Sequence, residues 1–300
     1  MHPNTLREKL FGVIAFPVTP FRDNLSLDLP GLHNNLSKLL EYPISAIVVA
    51  GGTGEMYSLT PAEYSRVIEL ATLAVEDRVP VIAGVGFGQR LAVEMAQAAE
   101  QAGADGILAF PPYYPHAEED GMFEYYRSIG AATSLGLMIY SRDWATFTPE
   151  MVERLTAIPT LVALKDGHGD IRRLQSIIHR VGERLHWIGG AGDDMVAAYY
   201  SIGLRTFSSS IATVAPRLSL RLHELGEAGD HEALAELLDK CVIPLYAIRS
   251  RRKGYEVSTM KAMMEMVGLS AGPVRPPLVN VTPEEEDELR AILAQWEKFL

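Results

Sequence analysis

Leu161-Val162-Ala163-Leu164-Lys165-Asp166-Gly167 decides how this chain is read. Four apolar residues have the length of a short buried strand, and a lysine stands where that strand should end. A cationic head cannot stay unpaired in an apolar core, because its burial costs several kcal/mol or forces it to lose its proton. Gly167 and Gly169 follow, then Asp170 as a cap for a helix over 171–181. The unit is strand, lysine, loop, helix, with the lysine at the carboxyl end of the strand. In parallel α/β folds that end carries the chemistry. Two readings of Lys165 stay open here. One is an ordinary strand-end lysine paired with Asp166 or a loop carboxylate; the other is a Schiff-base nucleophile with its pKa lowered by burial.

The same unit repeats along the chain. Apolar runs at 12–16, 45–50, 79–83, 106–110, 136–140, 161–165, 185–188 and 206–209 alternate with amphipathic segments. Leu32, Leu36, Leu39 and Leu40 make one stripe of a helix over 28–42, and Thr60-Pro61-Ala62-Glu63 is a capping box with proline at the first helical position. A helix over 193–202 is expected between the last two strands, and Gly84, Gly86 and Gly88 are read as loop after the third. Eight strand–helix units of roughly 25–30 residues predict a parallel sheet. Eight repeats favour an α/β fold of the closed (β/α)8 TIM-barrel type, with an open doubly wound sheet as the alternative. After Pro216 only helices are expected, over 217–225, 232–249, 258–267 and 283–299. The division predicted is a catalytic barrel over 1–226 and a C-terminal helical extension over 227–300.

Bulk properties narrow the partners. With 300 residues, 48% of them hydrophobic, the chain has ample material for a large core. A net charge of −11 argues against nucleic acid and anionic membranes as partners. No run approaches the roughly 18 apolar residues of a membrane span, and the polar opening stretch is no signal peptide. The single cysteine, Cys241, excludes an intrachain disulfide framework and fits a reducing cytoplasm. It reads as a buried helical thiol. Metal-ligand spacings such as CxxC or HExxH do not occur, so no metal site is expected.

Barrel active sites gather at strand carboxyl ends, which here hold Thr19, residues 51–55, Tyr113, Tyr114, Tyr140, Arg142, Lys165, Ser208 and Ser209. Gly51-Gly52-Thr53-Gly54 lacks the lysine and spacing of a phosphate loop. Its small residues either make a plain turn or let backbone N–H groups and the Thr53 hydroxyl approach a carboxylate. Glu55 is a buried acid or pairs with a neighbouring loop. Tyr140 shuttles protons or is an amphipathic edge residue. Arg142 clamps a substrate carboxylate or only pairs with Asp143. His168 reads as a solvated loop histidine. Because so acidic a chain must focus positive charge locally to hold an anion, and a poised Lys165 is neutral, Arg142 is the cation expected at a second carboxylate.

These strand ends resemble the dihydrodipicolinate synthase / N-acetylneuraminate lyase superfamily of Schiff-base barrels, and within it most nearly the 5-dehydro-4-deoxyglucarate dehydratases. The resemblance runs over nearly the whole chain. It is carried by Phe16-Pro17-Val18-Thr19-Pro20-Phe21, Gly51-Gly52-Thr53-Gly54-Glu55 with Ser58-Leu59-Thr60-Pro61, Ala102-Gly103-Ala104-Asp105-Gly106 and Pro111-Pro112-Tyr113. Tyr140 with Arg142-Asp143, and Lys165-Asp166-Gly167 with Gly169-Asp170, continue it. Arg251-Arg252-Lys253-Gly254-Tyr255 and Ala271-Gly272-Pro273-Val274-Arg275-Pro276-Pro277 resemble the dehydratase branch in particular. Departures fall on the substrate side of the pocket. Ser141 and Thr213 stand where that branch usually has asparagine, and Gly190-Ala191-Gly192-Asp193-Asp194 is closer to the synthase branch.

The resemblance implies a chemistry. Lys165 attacks the ketone of a 2-oxo acid to give an iminium, for which its pKa must drop from about 10.4 to about 7–8, a preference for the neutral amine of about 4 kcal/mol. Gly52 and Thr53 hold the adjacent carboxylate, Tyr140 carries protons, and Arg142, Ser208 and Ser209 bind the rest of the substrate. Tyr114 matches a tyrosine that in the synthases reaches into a neighbouring subunit's site, and a homotetramer built as a dimer of dimers is implied with it. The reaction implied is dehydration and decarboxylation of 5-dehydro-4-deoxy-D-glucarate to 2,5-dioxopentanoate without a cofactor. A pyruvate-dependent aldolase or a dihydrodipicolinate synthase-like condensation is the alternative within the fold. A catalytically silent binding barrel is the alternative from another class.

Overall fold

Eight parallel strands close on themselves in the order of the sequence. The computed structural model describes residues 1–300, and its strands are β1 (Gly12–Ala15), β2 (Ala46–Val49), β3 (Val81–Phe87), β4 (Gly106–Pro112), β5 (Gly136–Ser141), β6 (Leu161–Asp166), β7 (His186–Gly189) and β8 (Thr206–Ser209). Closure comes from β1 pairing with β8, Gly12 opposite Thr206 and Ala15 opposite Ser209, so the doubly wound alternative is excluded. The helices are α1 (Pro3–Lys9), α2 (Leu29–Leu39), α3 (Pro61–Val75), α4 (Gln89–Gln101), α5 (Glu119–Ala131), α6 (Pro149–Leu155), α7 (Ile171–Val181), α8 (Val196–Ser201) and α9 (Pro216–Ala228). Those of the extension are α10 (His231–Leu237), α11 (Ile243–Arg249), α12 (Tyr255–Met266) and α13 (Pro283–Trp296). None of these helices is long and apolar enough to cross a membrane.

Where elements differ from expectation, local chemistry explains it. Gly84 and Gly86 belong to β3, because the barrel wall needs their bareness. A Cβ on Gly84 would lie 2.1 Å from the Ala50 carbonyl oxygen. The short helix α1 was not foreseen, since its seven residues are mostly polar. Its Leu6 is fully buried and plugs the amino end of the barrel, where a Cβ on Gly106 or Gly136 would meet it at 2.5 and 2.7 Å. The helix expected over 193–202 begins instead as a 3₁₀ turn, Asp193–Met195. The helix expected over 232–249 is broken by a π-helical turn, Leu238–Val242, next to Pro244, which has no N–H for the carbonyl one turn earlier.

One continuous apolar core joins barrel and extension, with Leu245, Met263 and Trp296 in the same cluster as Ile14 and Ile82. A buried ion pair pins them together at the carboxyl end of the barrel. Lys261 of α12 reaches Glu55 in the turn after β2, Nζ to Oε1 2.6 Å, with the two side chains 2% and 0% exposed. Lys261 also donates to the Pro273 carbonyl at 2.9 Å, and the Arg275 backbone N–H donates to Glu55 Oε2 at 3.0 Å. The Arg275 guanidinium grips both Glu63 oxygens, at 2.6 and 2.8 Å, and the Leu25 and Ser58 carbonyls. Glu55 is thus the buried acid partnered by another segment, and that segment is the extension.

Removing one member of a buried pair leaves an uncompensated charge, which costs about 3–5 kcal/mol. Lys261→Met should therefore lower the free energy of urea unfolding by that amount, and Glu55→Gln in the same chain should restore part of it. A loss below about 1 kcal/mol, the worth of an exposed pair, would show that the latch does not hold the extension down.

Candidate active site

The carboxyl end of the barrel opens into a cavity of about 390 Å³, within the ordinary range for small-molecule sites. Lys165 lies at its floor, 2% exposed. Its Nζ donates to the Gly190 carbonyl at 3.1 Å and sits 3.4 Å from the centre of the Tyr140 ring, with the Phe16 ring at 5.1 Å. It makes no ion pair. The neighbouring Asp166 spends its carboxylate on the His168 and Gly169 backbone N–H groups and the Tyr199 hydroxyl, so the pairing reading of Lys165 is set aside. Desolvation, and secondarily the field of Arg142, holds the amine well below its usual pKa, with Asp166 opposing weakly. Gly190 is required here, because a Cβ would stand 2.6 Å from Lys165 Cγ and Nζ.

Tyr140 is register partner of Lys165 on the adjacent strand. Its hydroxyl donates to the same Gly190 carbonyl at 3.2 Å. Burial pushes its pKa up to about 12, against the lowering effect of Arg142. At neutral pH it therefore keeps its proton and can donate it.

Gly52 and Thr53 also line the cavity, and their N–H groups and the Thr53 hydroxyl donate to no protein atom. The turn that presents them is held by Thr19, whose hydroxyl donates to the Gly54 carbonyl at 2.7 Å, and by Ala50 and Glu55 at positive φ. The pairing of Arg142 with Asp143 is formed, and it leaves part of the guanidinium uncommitted. Its Nε pairs with Asp143 at 2.7 Å, while its plane lies against the Tyr140 and Phe110 rings and its Nη1 is 3.3 Å from where a Gly52 Cβ would be. Its free nitrogens therefore stand beside the Gly52–Thr53 turn.

Ser208 lines the cavity with a hydroxyl that has no protein partner. Ser209 does not line it. Its hydroxyl donates to Asp193 Oδ1, lies 2.8 Å from Ser219 Oγ and accepts from the Ala212 N–H, because alternation along β8 turns it outward from the cavity. Tyr114 is 74% exposed on the loop after β4 and is not part of this chain's cavity. The ring of His168 is half-buried rather than solvated, 3.2 Å from the Ala145 carbonyl and away from the cavity.

Residues that sequence reasoning passed over complete the walls. Ser210 continues β8, and Tyr246, Arg249, Ser250 and Glu256 come from the extension. Asp193 also lines the cavity, though only 1% exposed. It takes hydrogen bonds from Ser209 and, at 3.4 and 3.5 Å, from Tyr246 and Ser219. Burial pushes its pKa up to about 6, against Ser209 and Arg249. Its position after a glycine-rich strand end was a usable signal. Nothing in the local sequence marks Arg249.

A neutral amine, a protonated phenol and unspent N–H donors around one cavity are equipped to condense with a ketone that adjoins a carboxylate. The chain belongs to the dihydrodipicolinate synthetase family, whose model matches residues 9–296. A "Probable 5-dehydro-4-deoxyglucarate dehydratase" of Methylobacterium radiotolerans is 42% identical over 285 residues, 94% of each chain. A protein of the same description from Bradyrhizobium diazoefficiens is 39% identical over 285 residues, 94% of this chain and 91% of its own. Among solved structures, dihydrodipicolinate synthase from Oceanobacillus iheyensis superimposes with a TM-score of 0.92 at 30% identity, over 98% of this chain and 99% of that one.

The raised pKa of Asp193 has a signed consequence. The native state binds that proton more tightly than the unfolded chain, so the stability it contributes is present at low pH and is lost as pH rises from about 4 to about 6. A displacement from 3.8 to about 6 corresponds to about 3 kcal/mol. Asp193→Asn should thus gain about 3 kcal/mol on the unchanged protein between pH 4 and pH 7 in urea unfolding. A pH-independent difference would mean that Asp193 is ionised throughout.

Proposed function

We propose that this chain dehydrates and decarboxylates 5-dehydro-4-deoxy-D-glucarate to 2,5-dioxopentanoate through a Schiff base on Lys165. The observation that carries this reading is the desolvated, unpaired Lys165 amine, which shares the Gly190 carbonyl with the Tyr140 hydroxyl beside the free N–H groups of Gly52 and Thr53. The relatives near 40% identity named for that dehydration support the substrate. The enzyme is a lyase, and the substrate is a small 2-oxo acid.

In this mechanism the Lys165 amine adds to the ketone, Tyr140 protonates the carbinolamine oxygen, and water leaves to give the iminium. The carboxylate next to the former ketone lies on Gly52 and Thr53, with Arg142 beside it. The Tyr140 phenolate left by that protonation takes a proton from the adjacent CH₂ to give an enamine, and Tyr140 then returns the proton to the β-hydroxyl, which leaves as water. The resulting unsaturated iminium accepts the electron pair of the distal C–C bond as carbon dioxide departs. Protonation and hydrolysis then release the product and the free amine. The substrate loses one H₂O and one CO₂, so atoms balance. Ser208 has a free hydroxyl for the substrate's own hydroxyls, whereas Ser209 contributes by holding Asp193. Barrel (1–226) and extension (227–300) build this one site together, in a cytoplasmic setting that the lone Cys241 supports.

Turnover of the sugar acid should yield one carbon dioxide per substrate and no pyruvate. Lys165→Ala should be inert, and Tyr140→Phe should lose about 10²–10⁴ in rate, the usual range for a general acid–base group. Borohydride with a bound 2-oxo acid should add the ligand to Lys165. Release of pyruvate would instead identify an aldolase, whereas consumption of pyruvate in a condensation would identify the synthase-like reaction that Gly192-Asp193-Asp194 resembles. Reduction onto Lys253 would remove Lys165 from the chemistry, and failure to react with any 2-oxo acid would leave the binding-protein alternative.

A homotetramer assembled as a dimer of dimers belongs to the same proposal. Tyr113 and Tyr114 support it, because these adjacent aromatics are 85% and 74% exposed and stand ready to be covered. Sedimentation at micromolar concentration should find a multiple of the 33.0 kDa chain. A monomer would deprive Tyr114 of a role in a neighbour's site.

A further inference from the structure

We infer that Arg249 receives the second, distal carboxylate of a 2-oxo diacid, so that the helical extension selects the substrate. This rests on the Schiff-base reading of the cavity and deepens it.

Arg249 is 8% exposed at the end of α11, yet it makes no ion pair. Its Nη2 donates to the Ser210 hydroxyl at 3.0 Å and its Nε to the Thr259 hydroxyl at 3.3 Å, both neutral acceptors, and its plane stacks on the Tyr246 ring at 5.0 Å. Nη1 donates to no protein atom, and the residue lines the cavity that holds Lys165. A buried guanidinium held in a fixed orientation without a counter-ion needs an anion to offset its desolvation.

The carboxylates nearby do not serve. Asp193 lies beyond ion-pairing distance and gives its oxygens to Ser209, Ser219 and Tyr246, and the neighbouring Asp194 makes no ion pair with Arg249 either. Glu256 is exposed at the rim and makes no ion pair. Arg142, the cation expected at the distal carboxylate from sequence, is committed elsewhere. Asp143 occupies its Nε, and its Nη1 adjoins Gly52, the turn with free N–H donors. The barrel therefore offers one anion site, Gly52–Thr53 with Arg142, and the extension offers the other. Two carboxylates on one 2-oxo acid chain match two such sites, with the ketone between them at Lys165.

The test uses two six-carbon probes that differ only in the distal group, 2-oxoadipate with its second carboxylate and 2-oxohexanoate without it. Dissociation constants are read from the concentration dependence of borohydride trapping on Lys165 in the full-length protein. The wild-type protein should trap both and prefer 2-oxoadipate. Arg249→Gln should weaken 2-oxoadipate about 30-fold or more while changing 2-oxohexanoate less than about threefold. Arg142→Gln should weaken both alike. If Arg249→Gln fails to trap 2-oxohexanoate, it has lost its fold, and Arg249→Lys replaces it. That variant keeps the charge but loses the fork, and should cut the preference about tenfold.

An unchanged preference in either foldable Arg249 variant overturns the inference, as does loss of the preference in Arg142→Gln alone. Equal weakening of both probes by Arg249→Gln would also overturn it, by making Arg249 a purely structural residue. Wild-type protein that traps neither probe overturns the Schiff-base reading itself. That failure is distinct, because Arg249 cannot affect a comparison in which no adduct forms.

Discussion

The site depends on an amine kept out of water. A lysine at a strand end would ordinarily reach solvent or a carboxylate, and either would keep it protonated. Here the barrel closes around Lys165 with two aromatic rings, a backbone carbonyl and a glycine whose missing side chain leaves the only room available. The one adjacent acid, Asp166, is drawn off by two backbone N–H groups and the Tyr199 hydroxyl. The depressed pKa of the amine is therefore a property of the packing around β5, β6 and β7, and no single partner confers it.

The second dependence is of the mouth of the barrel on the extension. The turn after β2 carries two non-glycine residues at positive φ, Ala50 and Glu55, a conformation that costs free energy and persists only where surroundings enforce it. Thr19 holds one side of that turn, and the Lys261–Glu55 pair and the Arg275 N–H hold the other. The buried pair by itself is weak evidence for stability. Its geometry instead fixes where α12 and the segment after it sit, and α11 and the start of α12 supply Tyr246, Arg249, Ser250 and Glu256 to the cavity. The same ion pair that orders the turn carrying Gly52 and Thr53 thus positions the wall that the extension supplies.

This division explains what could be read from the chain before its fold was known. Strand ends are marked locally, by an apolar run that stops at a polar residue or glycine, so Lys165, Tyr140, Gly52, Thr53, Arg142 and Ser208 were all legible as members of one site. The eightfold alternation was legible for the same reason. Face was harder than position: Ser208 and Ser209 are adjacent, and only the register of β8 against β1 puts one toward the cavity and the other toward Asp193. Arg249 was beyond reach, because its place comes from tertiary packing of a helix about forty residues past the last strand, and neither periodicity nor motif reports such a contact. That the Arg142 guanidinium stands beside Gly52 was equally out of reach, since distance along the chain says nothing of it.

On the proposed mechanism, the electrostatic demands on the cavity reverse as the reaction proceeds. In the free protein the charge of Arg142 adds to desolvation in depressing the Lys165 pKa, and it also favours the ionised form of Tyr140 against burial. In that mechanism, a carboxylate arriving at Gly52 and Thr53 offsets that charge as the amine turns into a cationic iminium. The field that disfavoured a charged amine is then replaced by one that stabilises its adduct. On that proposal, a single arginine between the turn, the tyrosine and the lysine couples substrate recognition to the change of charge at the reacting nitrogen.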